Sequence, residues 1–392
     1  MGTSRYARGA PGRGSALAVQ VASLPGAEVA YVCDVDERNL PKVAAEVAAK
    51  QSHRPEEVRD FRKVLDDPSV DALVIATPDH WHAPAAIRAC AAGKHVYVEK
   101  PCCHNAHEGE LLVAAARKHK KVVQHGTQRR SWPGIIEGIQ RLREGDIGRV
   151  LDVQCWYHAN RPSIGHGKEG PAPAWLDWSL WQGPAPERPF RDNFLHYNWH
   201  WFWHYGTAEL GNNGVHPLDL ARWGAGVEYP RHVVCCGSKY RHDDDQETPD
   251  TSIASFDFGN CLITWKQRSW AQQNKLDSDI EVLFSGEKGS LAIRGNGYTL
   301  HDPDGKETGK GSGIGGEAVH LQNFLDAIRG KAKLNAEIEE GYKSALLCNL
   351  GNIALRTGGA VQFDPKAHRL IGSRDAEALW GREYRKGWEP KI

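Results

Sequence analysis

Between Ala72 and Pro101 the chain spells a strand, a helix and a second strand, and that order restricts the fold more than any other stretch. Ala72-Leu73-Val74-Ile75-Ala76 is a continuous apolar run, the pattern of a parallel strand covered on both faces. It ends in Thr77-Pro78-Asp79-His80-Trp81-His82, polar punctuation unsuited to a central strand. The alanine-rich stretch Pro84 to Ala92 predicts a helix, and Gly93 suits its C-cap. His95 to Val98 then predicts a strand that delivers Glu99-Lys100-Pro101. Ligands of βαβ folds sit beyond the carboxyl ends of the strands, so Lys100 emerges where chemistry is expected.

Upstream, Gly9-Ala10-Pro11-Gly12-Arg13-Gly14 precedes a helical stretch from Ser15 to Val19, and Glu28 to Cys33 reads as a strand ending at Asp34. A glycine-rich turn opening a helix, then an acid at the tip of the next strand, is the dinucleotide-binding fingerprint. Gly9, Gly12, Arg13 and Gly14 are the candidate pyrophosphate contacts. Asp34 is the candidate partner of a ribose 2′-hydroxyl; it would repel a 2′-phosphate, which favours NAD over NADP. Pro11 takes the place of the second glycine and offers no N–H. The run before it, Ser4-Arg5-Tyr6-Ala7-Arg8, places two arginines in the expected first strand. Helices over Pro41–Lys50 and Ala106–His119, with a strand at Val122–Gln124, complete an α/β alternation. It predicts a Rossmann domain with a doubly wound parallel sheet over residues 1–128.

From Val150 the character changes. Val150 to Tyr157, His232 to Cys236, Thr251 to Phe258, Cys261 to Gln267, Ile280 to Ser285 and Ser290 to Arg294 read as strands, with a hairpin turn at Ser285–Gly289. They predict an α+β second domain over residues 129–362 with a large, mostly antiparallel sheet, followed by an arm over 363–392 carrying Trp380, Tyr384 and Trp388. Seven of the fourteen tryptophans fall between Trp156 and Trp203. Amphipathic rings suit the C–H faces of sugars, so Trp156, Trp199, His200 and Arg161 are candidate substrate contacts. His200, His204 and His216 lack a carboxylate at metal-ligand spacing, which argues against a metal.

Lys plus Arg (49) equals Asp plus Glu (49), which argues against nucleic acid or an anionic membrane as a partner. No apolar run reaches membrane-span length, and no signal-peptide h-region is present. Nine cysteines, with adjacent pairs at Cys102-Cys103 and Cys235-Cys236, match neither a disulfide framework nor zinc spacing. A cytoplasmic, reducing compartment is expected, or export if a leader has been removed.

The turn GxxGRGSALA, Asp34, TPDHWH, VEKP, GTQRRS, GDIGRV and LGNNGVHPLDLARW together resemble the Gfo/Idh/MocA oxidoreductase family, in its Trp-rich sugar-processing subgroup. The resemblance implies NAD as cofactor, with Thr77, Pro78, His80, His82, Glu99, Lys100 and Gln128 joining the glycine turn and Asp34 around it. It implies an open-faced sheet that makes subunit contacts, hence a homodimer or homotetramer. Lys100 and His216 are the implied catalytic pair, and Asn212 and Asp219 implied substrate contacts. Well-known members carry Asp where this chain has Asn212, four residues before His216, from where it can accept from one ring nitrogen. The implied reaction is oxidation or reduction of a secondary alcohol on a sugar, cyclitol or glycoside, including oxidation of a glycoside at C3. Two alternatives stay open. One is a glycosidase using NAD transiently, although its YPTHG-type segment is not found. The other is a non-catalytic sugar- or nucleotide-binding member.

Overall fold

The computed structural model describes residues 12–271 and 281–392. The expected first strand Ser4–Arg8, the turn residues Gly9 and Pro11, and Ile280 lie outside the described residues. Helix α1 (Arg13–Ala22) leads to β1 (Tyr31–Cys33), α2 (Leu40–Ala48), β2 (Glu56–Val58), α3 (Arg62–Asp66), β3 (Ala72–Ile75), α4 (Asp79–Ala91), β4 (His95–Val98), α5 (Ala106–Lys118) and β5 (Val123–His125). β1 pairs with β2, and β3-β4-β5 form a second set, all parallel. Val96, Tyr97 and Val98 are fully buried, as expected of a strand covered on both faces.

Helix α4 starts at Asp79, not Pro84. Eleven of its thirteen residues are buried, so no polar face marks its ends, and TPDHWH supplies its first turn. Asp79 suits that position, because a helix N-terminus favours an acid, and its carboxylate accepts from Thr207 Oγ1 at 2.5 Å.

Helix α6 (Pro133–Glu144), ended by Gly145 at φ 83°, leads into β6 (Val150–His158). An aromatic segment follows, holding β7 (Glu169–Gly170), α7 (Trp178–Gln182) and β8 (Phe190–Arg191). After it come α8 (Val215–Ala225), β9 (His232–Ser238), β10 (Thr251–Asp257), β11 (Leu262–Arg268), β12 (Val282–Gly286), β13 (Gly289–Arg294), β14 (Gly297–His301) and β15 (Glu307–Ser312). The chain closes with α9 (Glu317–Ile328), α10 (Ile338–Arg356), β16 (Ala360–Asp364), β17 (Arg369–Ile371) and α11 (Arg374–Ala378).

Ten strands form one sheet in the order β15-β14-β13-β12-β6-β11-β10-β9-β16-β17, antiparallel except between β6 and β11. Val153, Cys155, Ile263, Trp265 and Phe256 bury one face beneath α8 and α10. Strand alternation puts Val234, Ile253 and Leu262 on the other face, each at least 40% exposed. β16 and β17 belong to this sheet, so the arm itself starts after Ile371. It returns to the first domain, where Trp388 meets Trp81 edge-on at 5.1 Å and Tyr384 donates to Glu108 at 3.0 Å.

Candidate active site

The loops after β1, β3 and β4 and the start of α1 open on a cavity of about 410 Å³, within the range of small-molecule sites. Its far wall is the aromatic segment and the turn ahead of α8. On the first-domain side, Gly12 caps α1 in an extended conformation, and Arg13 follows it into the helix. Arg13 carries no spare charge: its guanidinium lies 2.7 Å from both Glu99 and Glu317. Gly126 makes room for that arrangement, since a Cβ there would come within 2.9 Å of Glu99. Asp34, 4% exposed, ends β1 with a carboxylate oxygen that accepts from the N–H of Asp36 at 2.9 Å. Thr77 and Pro78 line the floor, and Thr77 Oγ1 is buried with no hydrogen-bond partner among the described residues.

These features fit a dinucleotide. A ten-residue helix presents its N-terminus to the cavity, an acid stands at the tip of β1, and an orphaned hydroxyl follows β3.

Lys100 stands where the two walls meet. Its Nζ donates to the carbonyl of Asn212 at 2.5 Å and to Asn212 Oδ1 at 3.2 Å. Burial pulls its pKa below the usual lysine value, against the opposing pull of Glu99 and Asp79. Burial likewise raises Asp79, with His82 and Thr207 working against it. Glu99 is held below the usual carboxylate value: burial would raise it, but Arg13 and Lys100 prevail. His82 ties the strand exits together, its ring nitrogens 2.6 and 2.8 Å from the carbonyls of Pro101 and Thr77.

The far wall is built on one ion pair. Arg161 reaches Glu209 at 2.7 Å and donates to Tyr197 and Tyr157 hydroxyls at 2.9 and 3.1 Å, with Trp201 4.9 Å from its guanidinium. Glu209 also accepts from the amides of Asn212, at 3.3 Å, and Asn213. His200 stacks on Trp199 at 3.5 Å, and burial pushes its pKa well down. The neutral ring donates from Nδ1 to the Tyr197 carbonyl at 2.6 Å, which leaves Nε2 as an acceptor.

A strap joins the walls at the Asp34 end. The N–H of Glu37 donates to Trp175 at 3.1 Å, and that of Asp177 donates to Val35 at 3.0 Å. Arg38 lies 3.2 Å above the Trp175 ring, and Asp36 is 3.0 Å from His196.

Gly12, Arg13, Asp34, Thr77, Pro78, His82, Glu99, Lys100, Arg161, Trp199, His200 and Asn212 therefore share one cavity. Other expected residues stand elsewhere. Gly14 is buried within α1. His80 is fully buried, its ring 5.4 Å from Trp181 and 5.2 Å from Tyr205. Gln128 lies in a short turn behind, its Oε1 unpaired among the described residues. Trp156 falls on the open face of the sheet because alternation from Val153 and Cys155 sends Tyr157, not Trp156, toward the cavity. Asp219 is 1% exposed and bound by Arg130 at 2.8 Å and Ser344 at 2.6 Å, a joint between elements rather than a substrate contact.

His216 is half-buried beside the cavity, not in its wall, and burial holds its pKa well down. Its Nδ1 has no partner among the described residues, so the expected bond to Asn212 is not made. Leu210–Gly214 forms a π-helical turn, which rotates Asn212 out of the regular four-residue register and onto Lys100.

Glu209, Tyr157, Tyr197, Trp181, His196 and Asp60 were not anticipated. Only Tyr157 had a legible signal, the two-residue period of its strand.

Residues 9–127 match a family model described as oxidoreductase family, NAD-binding Rossmann fold, and residues 156–390 match the corresponding C-terminal alpha/beta domain. Levoglucosan dehydrogenase of Pseudarthrobacter phenanthrenivorans is 29% identical over 183 residues, 47% of this chain and 40% of that protein. The scyllo-inositol 2-dehydrogenase (NAD+) of Bacillus subtilis is 32% identical over 132 residues, 33% of this chain and 37% of that protein. The chain thus spans less than half the length of either curated relative. A crystal structure of aldose-aldose oxidoreductase from Caulobacter crescentus superposes with a TM-score of 0.67 at 20% identity, over 88% of this chain and 94% of that one.

Proposed function

The chain belongs to the Gfo/Idh/MocA oxidoreductase family, and from that premise we propose that it is an NAD-dependent dehydrogenase of a secondary alcohol on a sugar, cyclitol or glycoside. The observation that carries this reading is Lys100, an amine of lowered pKa held by Asn212 between the dinucleotide side and the aromatic wall. Names of the relatives support the substrate class, levoglucosan being a sugar derivative and scyllo-inositol a cyclitol.

Gly12, Asp34, Thr77 and Pro78 would hold NAD, with Phe61 and Trp181 as apolar walls. NAD, when bound, supplies the acceptor for a hydride from the carbinol carbon. The chain's own part is the proton. Neutral Lys100 takes it from the substrate hydroxyl, and Lys100 ammonium returns it in the reverse direction. Asn212 keeps the amine in place, the charge of Glu99 favours its ammonium form, and His216, outside the cavity wall, is a neighbour of Lys100 with no proton step of its own. Tyr157, Tyr197 and Trp199 give platforms for a sugar ring, while Arg161, neutralised by Glu209, leaves the pocket suited to an uncharged substrate. The finer reading is a pyranoside oxidised at C3. The open sheet face, with Val234, Ile253 and Leu262 exposed, supports a homo-oligomer.

The test is NADH formation by the purified protein across pyranosides, glycosides and inositols, with products identified by mass spectrometry. A keto product from wild type and loss of about 10²–10⁴-fold in kcat in Lys100→Met, with NAD affinity kept, is expected. Full turnover in Lys100→Met, or no NAD binding at all, sinks the reading. Free aglycone without NADH would favour the glycosidase chemistry instead.

A further inference from the structure

Most buried or half-buried arginines in this chain are spoken for. Arg13 pairs with Glu99, Arg130 with Asp219, Arg161 with Glu209 and Arg222 with Glu340. A second cleft, of about 330 Å³, departs from that rule at the half-buried Arg382, which two exposed arginines join. It lies between the start of α5, the end of α10, the loop around Trp203–Thr207 and the returning arm. Arg188, Arg356 and Arg382 line it, and none of the three forms an ion pair among the described residues.

Arg382 is the half-buried member. Nη2 donates to the carbonyl of His204 at 3.2 Å, and Nη1 lies 3.3 Å from His104 Nδ1. Carbonyls and a neutral imidazole satisfy its N–H groups without cancelling its charge. His104 is held neutral by burial, and so is His204, whose pKa falls to about 4. Arg356 lies 5.0 Å from the Trp203 ring; Glu247 attracts it from a distance without forming an ion pair, and burial still leaves its pKa lowered. Glu383 is the one carboxylate of the lining, and it is exposed. Glu108, behind the wall, accepts from the Tyr384 hydroxyl and the His104 N–H, each at 3.0 Å; it attracts Arg382 without pairing with it, and burial outweighs that attraction, raising the Glu108 pKa and lowering that of Arg382. Three guanidiniums thus line one concavity whose acids, Glu108, Glu247 and Glu383, form no ion pair with them among the described residues, and guanidinium forks match the geometry of phosphate and carboxylate.

We propose that this cleft is a second binding site, for a small molecule that carries a phosphate or carboxylate group. It is separate from the dinucleotide cavity but shares a wall with it. Thr207 lines the cleft, while its hydroxyl holds Asp79, which lines the cavity, and its carbonyl accepts from Asn352 at 2.8 Å.

The experiment is calorimetric titration of the full chain, saturated with NAD, using inorganic phosphate, glucose 6-phosphate and gluconate as probes. At least one is expected to bind, with affinity falling at least tenfold in Arg356→Gln/Arg382→Gln and also in raised salt. NAD affinity is expected to stay at the wild-type value, which shows the variant is folded. Arg356→Gln alone, at an exposed position, serves where the double variant does not fold. Preference for glucose 6-phosphate or for gluconate tells phosphate from carboxylate. Absence of binding by all three probes overturns the proposal. Binding unchanged in the variants, or binding seen only in a parallel titration without NAD, also overturns it.

Discussion

At the scale of single residues, Lys100 and Asp34 carry the sharpest consequences. Burial lowers the Lys100 pKa, so the neutral amine is present at lower pH than for a free lysine. If that amine is the base, kcat/KM for alcohol oxidation rises with pH through the Lys100 pKa and then levels. Lys100→Arg, which keeps the charge but cannot lose its proton, is expected to erase that limb and cut kcat by about 10²–10⁴-fold. A limb that survives in the variant assigns the base elsewhere. Asp34 is expected to exclude a 2′-phosphate, so Asp34→Ser should raise the NADP-to-NAD ratio of kcat/KM roughly tenfold, about 1.4 kcal/mol. Parallel kinetics with the two cofactors check it. Both residues are legible in the sequence because each stands within two residues of the end of a strand with an apolar run. The Arg161–Glu209 pair is not, since 48 residues separate the partners.

At the scale of elements, the strands were legible from their apolar runs, and the misses have two causes. Where an element is buried all round, as α4 is, no amphipathic edge marks its start. Where a helix changes pitch, as at Leu210–Gly214, spacing arguments built on the regular helix point Asn212 the wrong way. Packing of the aromatic segment on α4 gives a direct test. Gly183 follows α7 at φ 46°, and a Cβ there would lie 1.9 Å from the Trp81 ring. Gly183→Ala is expected to destabilise by about 1–3 kcal/mol from overpacking, with a further cost of about 1–2 kcal/mol for the left-handed backbone. Denaturant unfolding followed by tryptophan fluorescence measures both. Asp219 joins α8 to α10 and to the turn carrying Arg130. Asp219→Asn leaves Arg130 buried, with Glu340 still 3.7 Å away, so a loss of about 3 kcal/mol is expected in the same assay.

At the scale of the whole molecule, the ten-stranded sheet keeps helices on one face and leaves the other to solvent or to a second copy. Ile253→Lys, 44% exposed in the middle of that face, is expected to shift the light-scattering mass toward that of a monomer while leaving far-UV dichroism unchanged. An unchanged mass removes the sheet face from the interface. The strap between Val35–Arg38 and Trp175–Asp177 bears on time rather than on shape. A dinucleotide whose adenosine end lay by Asp34 would rest beneath main-chain bonds that must part before it could leave. Its residence time would then follow the lifting of that crossing, and a steady-state turnover number measured on this protein would count the openings of a clasp rather than the transfers of a proton.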